Sequence, residues 1–238
     1  MSRGVKKSLK GTWPQAIGTF FFPLFIVFIL RWLVIEPFVI PSGSMIPNLL
    51  VHDHILVKKY SLGLKIPFSD HWFVRWKAPR RGEVLVFRYP ENPDVFYIKR
   101  LIGLPGDVVV VRGSGQITIN GQEWTLQAQD SFQNSSQEDN FKYYLEDTGE
   151  QKHIVRFYGS PLASNESQEY RVPQQEYFFM GDNRDQSSDG RVWGFVPEKY
   201  LVGPASVIWL SCENTLTSVS YICDPRQIRW KRLFNSVQ

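Results

Sequence analysis

The sequence predicts a β-rich domain carried behind a single apolar N-terminal segment. Two observations lead there. Residues 16–35 read AIGTFFFPLFIVFILRWLVI, a run with one charge. From Val51 onward, short runs of aliphatic and aromatic residues are broken repeatedly by turn residues, and no long stretch shows helical periodicity. Seventeen glycines and 15 prolines in 238 residues suit many short strands better than long helices. An apolar fraction of 43% with 15% aromatics is that of a folded chain. The length behind the apolar run suffices to bury a core without disulfide support.

The apolar run comes first. At about 1.5 Å per residue, a helix over 16–35 covers roughly 30 Å, the thickness of a bilayer core. Arg31 lies near its end, where a long side chain can snorkel, and Trp32 fits the interface. Pro23 is tolerable in a membrane helix. A cleavable leader is the competing reading. The run is long for one, and Glu36-Pro37-Phe38 is a poor cleavage site. Arg3, Lys6, Lys7 and Lys10 precede the run, which predicts a cytoplasmic basic N-terminus over 1–15. The segment 16–35 then reads as an uncleaved single-pass signal-anchor, with 36–238 on the far side of the membrane.

The strands follow. Candidates are 54–60, Val84–Tyr89 ended by Pro90, 95–102, and a hairpin of 108–111 with Gln116–Ile119, the second stopped by Asn120-Gly121. Residues 127–175 change composition, with Gln, Ser, Asn, Asp and Glu dominating, and read as an inserted subdomain with long loops and no chemistry of its own. Cys212 and Cys223 suit adjacent hairpin strands; a disulfide and two buried thiols are both open. The net charge of +4 is mild. No nucleic-acid reader module is present, so no nucleic-acid partner is expected. Arg226, Arg229, Lys231 and Arg232 read as a solvated edge or tail, with anionic lipid as the other reading.

Several chemistries can be set aside. His52 and His54 flank Asp53 at strand spacing and would share a face, but so short a pair reads as a solvated strand edge before it reads as a metal site. The acidic loop 182–189 places Arg184 and Gln186 where a calcium loop needs oxygen ligands. What remains is a serine in a stiff loop, Ile40-Pro41-Ser42-Gly43-Ser44-Met45-Ile46-Pro47, and a lysine in a strand, Tyr97-Ile98-Lys99-Arg100. Alternation puts Tyr97, Lys99 and Leu101 on one face. Burial there would lower the lysine pKa toward neutrality, and a neutral amine beside a hydroxyl can take its proton.

Three segments carry a resemblance. PSGSMIPNLL, RGEVLVFRYP followed by YIKRLIGLPGD, and GDNRDQSSDGRVWGFVPEKYLVG resemble, in order, the three boxes of type I signal peptidases, the membrane-bound serine proteases of protein export. The likeness runs from residue 36 to about 209. It implies a mainly antiparallel β catalytic core with an inserted cap over 127–175, and cleavage of N-terminal signal peptides from exported preproteins after small residues (Ala-x-Ala). It also implies no metal and no organic cofactor. Carried over by position, Ser44 is the nucleophile and Lys99 the general base, and they act through an acyl-enzyme. Ser42 by its hydroxyl and Ser44 by its backbone N–H form the oxyanion hole. Ser187 orients the Lys99 amine, while Asp189, Arg191, Asp182 and Arg184 brace the loop. Phe38, Ile40, Met45, Leu49, Tyr97 and Ile98 shape the pockets for small side chains. Asn48 stands where the family usually has Thr, and Gly190 where Ser is commoner; both positions read as peripheral. The expected partners are signal-peptide-bearing preproteins and the lipid bilayer, with the catalytic domain in a periplasm, an exterior or a thylakoid lumen. The rival readings are a membrane-tethered β-domain that binds exported proteins without cutting them, and a self-cleaving serine–lysine protease of the LexA type.

Overall fold

The computed structural model describes residues 13–33, 35–66, 69–129, 140–161, 166–216 and 219–237. The basic residues Arg3, Lys6, Lys7 and Lys10 lie outside them, as do the side chains of Arg31 and Trp32. A helix, α1 (Trp13–Leu33), leads into strands β1 (Ile35–Val39), β2 (Asp53–Lys58), β3 (Gly63–Lys65), β4 (Trp72–Arg75), β5 (Val84–Tyr89) and β6 (Asn92–Gly103). Next come β7 (Val108–Arg112), β8 (Gln116–Ile119), β9 (Gln122–Glu123), β10 (Thr125–Ala128), β11 (Phe141–Asp147), β12 (Lys152–Tyr158), β13 (Ser167–Arg171) and β14 (Glu176–Met180). A short helix, α2 (Gly190–Trp193), precedes β15 (Val196–Pro197), β16 (Leu201–Ser211), β17 (Thr215–Leu216), β18 (Val219–Cys223) and β19 (Asn235–Ser236). The strand pairs are antiparallel. The chain is mainly β.

One sheet organises the molecule, in the order β1-β2-β16-β5-β6-β14-β15 with β19 beside β16. Its middle is covered on both faces, which explains why β5 reads VLVF without polar alternation. Val84 and Val86 enter a cluster with Ile40, Met45, Leu49, Ile55, Val57 and Ile98. Leu85 and Phe87 point the other way, into a cluster with Leu101, Tyr177 and Phe179. A third cluster forms where β7 and β8 close over Phe178 and Met180 through Val109, Val111, Ile117 and Ile119. Asn120 and Gly121 take positive φ (50° and 85°), the two-residue turn that joins β8 to β9.

Region 127–175 is richer in strands than its polar composition suggests. β10, β11 and β12 form a three-stranded sheet, and β13 pairs with β7. Residues 130–139 and 162–165 of it lie outside the described residues.

Two sequence expectations are corrected. His52 is not in a strand: it sits before β2 with φ 65°, while His54 is buried beside the Trp209 ring. The C-terminal charges are not all solvated either. Arg232 donates to Asp53 Oδ2 at 2.5 Å and to the Asn48 carbonyl at 2.9 Å, and Arg229 donates to the Val51 carbonyl at 3.0 Å. A fully buried Asp53 needs such partners, and the tail is folded back to supply them.

Cys212 and Cys223 form a disulfide with Cα atoms 5.7 Å apart, closing the β17–β18 hairpin onto the end of β16. For a loop this short, chain entropy predicts that replacing both cysteines by Ala lowers stability by roughly 2–3 kcal/mol. Denaturant unfolding of the two forms measures this. A difference below about 1 kcal/mol would mean that the hairpin is pinned without the bond.

In α1, Ile17, Phe20, Phe21, Phe22, Leu24, Phe25, Ile26 and Val27 are all exposed. Among the described residues, no helix is long and apolar enough to cross a membrane.

Candidate active site

The site is assembled from three segments. The first leaves β1, where the Ile40 N–H donates to the Asp53 carbonyl (2.9 Å) and the Ile40 carbonyl accepts from His52 N (2.9 Å). A single 3-10 turn, Gly43–Met45, then lifts Ser44. Met45 and Leu49 plunge fully buried into the core on either side of Pro47, so the turn is nailed down by apolar burial. Ser42 precedes it in extended conformation, its Oγ 3.4 Å from Ser44 Oγ.

The second segment is the latter half of β6. Pairing of Leu85 with Lys99 in the β5–β6 ladder fixes where the lysine emerges. Lys99 Nζ donates to Ser44 Oγ at 2.6 Å. Lys99 is 5% exposed and Ser44 8%. Burial pulls the Lys99 pKa from the ordinary lysine value down to about 8, opposed by the nearby charges of Asp189 and Asp182. The amine also lies 5.5 Å from the centre of the Tyr97 ring.

The third segment follows β14. Asp182, fully buried, takes a two-pronged pair from Arg100, Nε to Oδ1 and Nη2 to Oδ2, each 2.7 Å. Asn48 Nδ2 donates to the same Oδ2 at 2.6 Å and to the Ile154 carbonyl at 2.7 Å. Asn48 is therefore a junction between the serine segment and the acidic loop, and not peripheral. Asn183 holds the serine turn twice, its N–H to the Ser44 carbonyl (3.0 Å) and Nδ2 to the Gly43 carbonyl (2.9 Å). Asp189 accepts from the Gly181 N–H (2.9 Å) and from Arg191 Nε (2.8 Å) and Nη2 (2.9 Å). Burial pushes the Asp189 carboxyl up, but Arg191 and the Gly181 N–H outweigh it and hold it below the usual range. Arg184 turns away from the serine and pairs with Glu146.

The structure thus brings Ser42, Ser44, Lys99, Asp182, Asp189 and Arg191 into one region. Ser187 is there too, but among the described residues its Oγ makes no hydrogen bond to the Lys99 amine. Of the six residues expected to form substrate pockets, Ile40, Met45, Leu49 and Ile98 are buried in the interior. Phe38 and Tyr97 are half-buried; Phe38 meets Phe96 edge-on at 5.3 Å, and Tyr97 stacks on Tyr89 at 4.5 Å. Gly190 has no room for a side chain, since a Cβ would lie 2.8 Å from the Phe178 ring and from the Phe179 carbonyl.

The family model described as signal peptidase, peptidase S26, matches residues 13–210. The chain belongs to this family. It is a serine peptidase, a hydrolase. Similar proteins include the signal peptidase I of Pseudomonas fluorescens, 42% identical over 208 residues that cover 82% of this chain and 72% of that one. The signal peptidase I of Buchnera aphidicola subsp. Acyrthosiphon pisum is 38% identical over 252 residues, 88% of this chain and 79% of the relative. The crystal structure of a signal peptidase I from Enterococcus faecalis V583 is 31% identical and covers 54% of this chain and 97% of its own, with a TM-score of 0.34.

Sequence reasoning passed over Arg100, Asn183 and Glu146. The first two sit inside quoted motifs, next to Lys99 and Asp182, and a rule that buried charges arrive in pairs would have found Arg100 with Asp182. Glu146 has no such signal, because only the folded chain brings β11 to this place.

Proposed function

We propose that the chain is a membrane-anchored serine endopeptidase that removes signal peptides from exported preproteins, cutting after small residues at Ala-x-Ala sites. The observation that carries the reading is the 2.6 Å contact between Lys99 Nζ and Ser44 Oγ in a buried setting that favours the neutral amine. A neutral lysine takes the serine proton as Ser44 attacks the scissile carbonyl. The developing oxyanion is met by the Ser42 hydroxyl and the Ser44 backbone N–H. The amine returns the proton to the leaving peptide, and then activates the water that hydrolyses the acyl-enzyme. Asp182 with Arg100, and Asp189 with Arg191, hold the loop that walls off the amine.

Substrate binding follows from the open edges of the sheet. Among the described residues, β1 is the outermost strand on one side, and the first half of β6 pairs with β5 alone, since β14 meets β6 there only at Arg100, Leu101 and Gly103. The Phe38–Phe96 contact brings the two edges together. An extended peptide lies along these edges by strand addition. Its small side chains enter the shallow surfaces shaped by Phe38, Ile40, Met45, Leu49, Tyr97 and Ile98.

The anchor reading is supported by the apolar run 16–35 and by the exposed apolar side chains of α1, which no part of the protein covers among the described residues. Strand β1 begins at Ile35, so Ser44 is held near the membrane surface, where a signal peptide retained in the bilayer presents its end. Residues 36–238, with 127–175 as cap, then lie on the extracytoplasmic side.

The test is incubation of the detergent-solubilised protein with a preprotein bearing an Ala-x-Ala site, mapping the cut by mass spectrometry, with Ser44→Ala alongside. A single cut after the second Ala, absent in the variant, is expected. Binding without a cut, or a cut only within the chain itself, points to one of the two rival readings and ends this one.

A further inference from the structure

Glu146 on β11 and Arg184 in the acidic loop are both essentially without exposure. Charges that deep are tolerated only when tightly paired. Arg184 Nη1 and Nη2 donate to the two Glu146 oxygens at 2.8 and 2.5 Å, and His153 Nε2 lies 3.0 Å from Oε2. Burial pushes the Glu146 carboxyl up, but Arg184 and His153 outweigh it and hold it at about 2. Arg184 Nη1 also donates to the Gly115 carbonyl at 2.6 Å, so the guanidinium is fixed from two sides.

Arg184 opens the 3-10 turn Arg184–Gln186. Its preceding neighbour, Asn183, holds the carbonyls of Gly43 and Ser44, and the Arg184 carbonyl accepts from Arg191 Nη2, which ties in Asp189. The strands behind grip the same loop again. The Arg156 N–H donates to the Asp182 carbonyl at 2.9 Å, the Tyr158 N–H to Asp185 Oδ2 at 2.6 Å, and the Ile154 carbonyl accepts from Asn48. The serine turn is thus held by the core on one side and, on the other, by a loop whose backing is the β11–β12 hairpin.

Resting on the serine–lysine reading above, we infer that Glu146 is a positioning residue for the reaction: by fixing Arg184 it sets, through Asn183, the placement of Ser44 against Lys99. The β11–β12 hairpin is then a working part of the peptidase, and its contribution is made without touching substrate. A displacement of the reacting groups by about 1 Å can cost on the order of 100-fold in rate, so a loosened loop acts on turnover and leaves binding alone.

The test is Glu146→Gln in the full chain in detergent, with kcat and KM measured on a preprotein-derived peptide well below each variant's unfolding temperature. The expected result is a fall in kcat of about 10- to 100-fold with KM within about two-fold of the parent. Asn183→Ala should give a similar split, and the double variant should be little worse than the worse single one, because both act on one path. Arg184→Lys keeps a cation but loses the fork; it provides the same readout should Glu146→Gln fail to fold. An unchanged kcat with a lowered unfolding temperature, a rise in KM alone, or effects that multiply in the double variant overturns the inference. Ser44→Ala is run in parallel. If it still cleaves, the serine–lysine reading has failed; if it is inactive while Glu146→Gln is fully active, only the present inference has.

Discussion

Lys99→Met is expected to lower kcat/KM for preprotein cleavage by at least roughly 10³-fold, without loss of fold. Methionine keeps the apolar stem in its buried slot, and removes only the amine that sits 2.6 Å from Ser44 Oγ. No other described group is placed to take that proton: Asp182 and Asp189 are occupied by Arg100 and Arg191, and Ser42 Oγ, 3.4 Å from Ser44 Oγ, is no base. The pH profile supplies the companion measurement. Only the neutral amine is a base, so the rate should rise with pH and level off, with a half-point near the Lys99 value of about 8. An ordinary solvated lysine titrates at about 10.4, so a limb found there would show the amine to be fully hydrated and would remove the basis of the mechanism.

The second large effect is expected from one methyl group. In Gly181→Ala the new Cβ would lie 2.2 Å from Ser187 Oγ and 2.5 Å from the Ser44 carbonyl. The hydroxyl can rotate, but the Ser187 Cβ, 2.6 Å from the new methyl, cannot, and the carbonyl is backbone of the serine turn and can move only by taking Ser44 with it. Gly181 does not have positive φ, so the cost is steric contact and not backbone strain. A displacement of the turn sufficient to relieve the clash should lower kcat by about 100-fold or more, while the substrate surfaces around Phe38 and Tyr97 stay in place and KM changes little. Steady-state kinetics on folded variant protein decides it. A kcat near the parent value would mean that the serine turn is far more compliant than its buried Met45 and Leu49 indicate.

Much of this was legible in the residues, for identifiable reasons. The β5 and β6 strands are read correctly because Val84–Tyr89 is bounded by a glycine and a proline, and both of its faces are apolar. The serine and lysine segments stand out as motifs. Within the inserted region 127–175 the extent of β11 and β12 is hard to read because they carry charged residues inward: Glu146, His153 and Arg156 are buried, and no hydrophobic periodicity marks such strands. The same blindness hid Asp53, whose partners arrive from Arg229 and Arg232 at the far end of the chain. Pattern reading sees apolar faces and local spacing. Ion pairs between distant segments are invisible to it.

The two strand edges of β1 and β6 that stand unpaired among the described residues have, under the proposed function, a consequence for which polypeptides are processed. If a guest binds by strand addition as proposed, it lends its own main-chain N–H and C=O groups to β1 and β6, and a segment wound into a helix has already spent them internally. Side-chain size alone would then be a poor guide to processing. Two preproteins with identical residues around the junction should differ in turnover according to how readily that stretch unwinds, and a helix-breaking residue just upstream should speed the slower one.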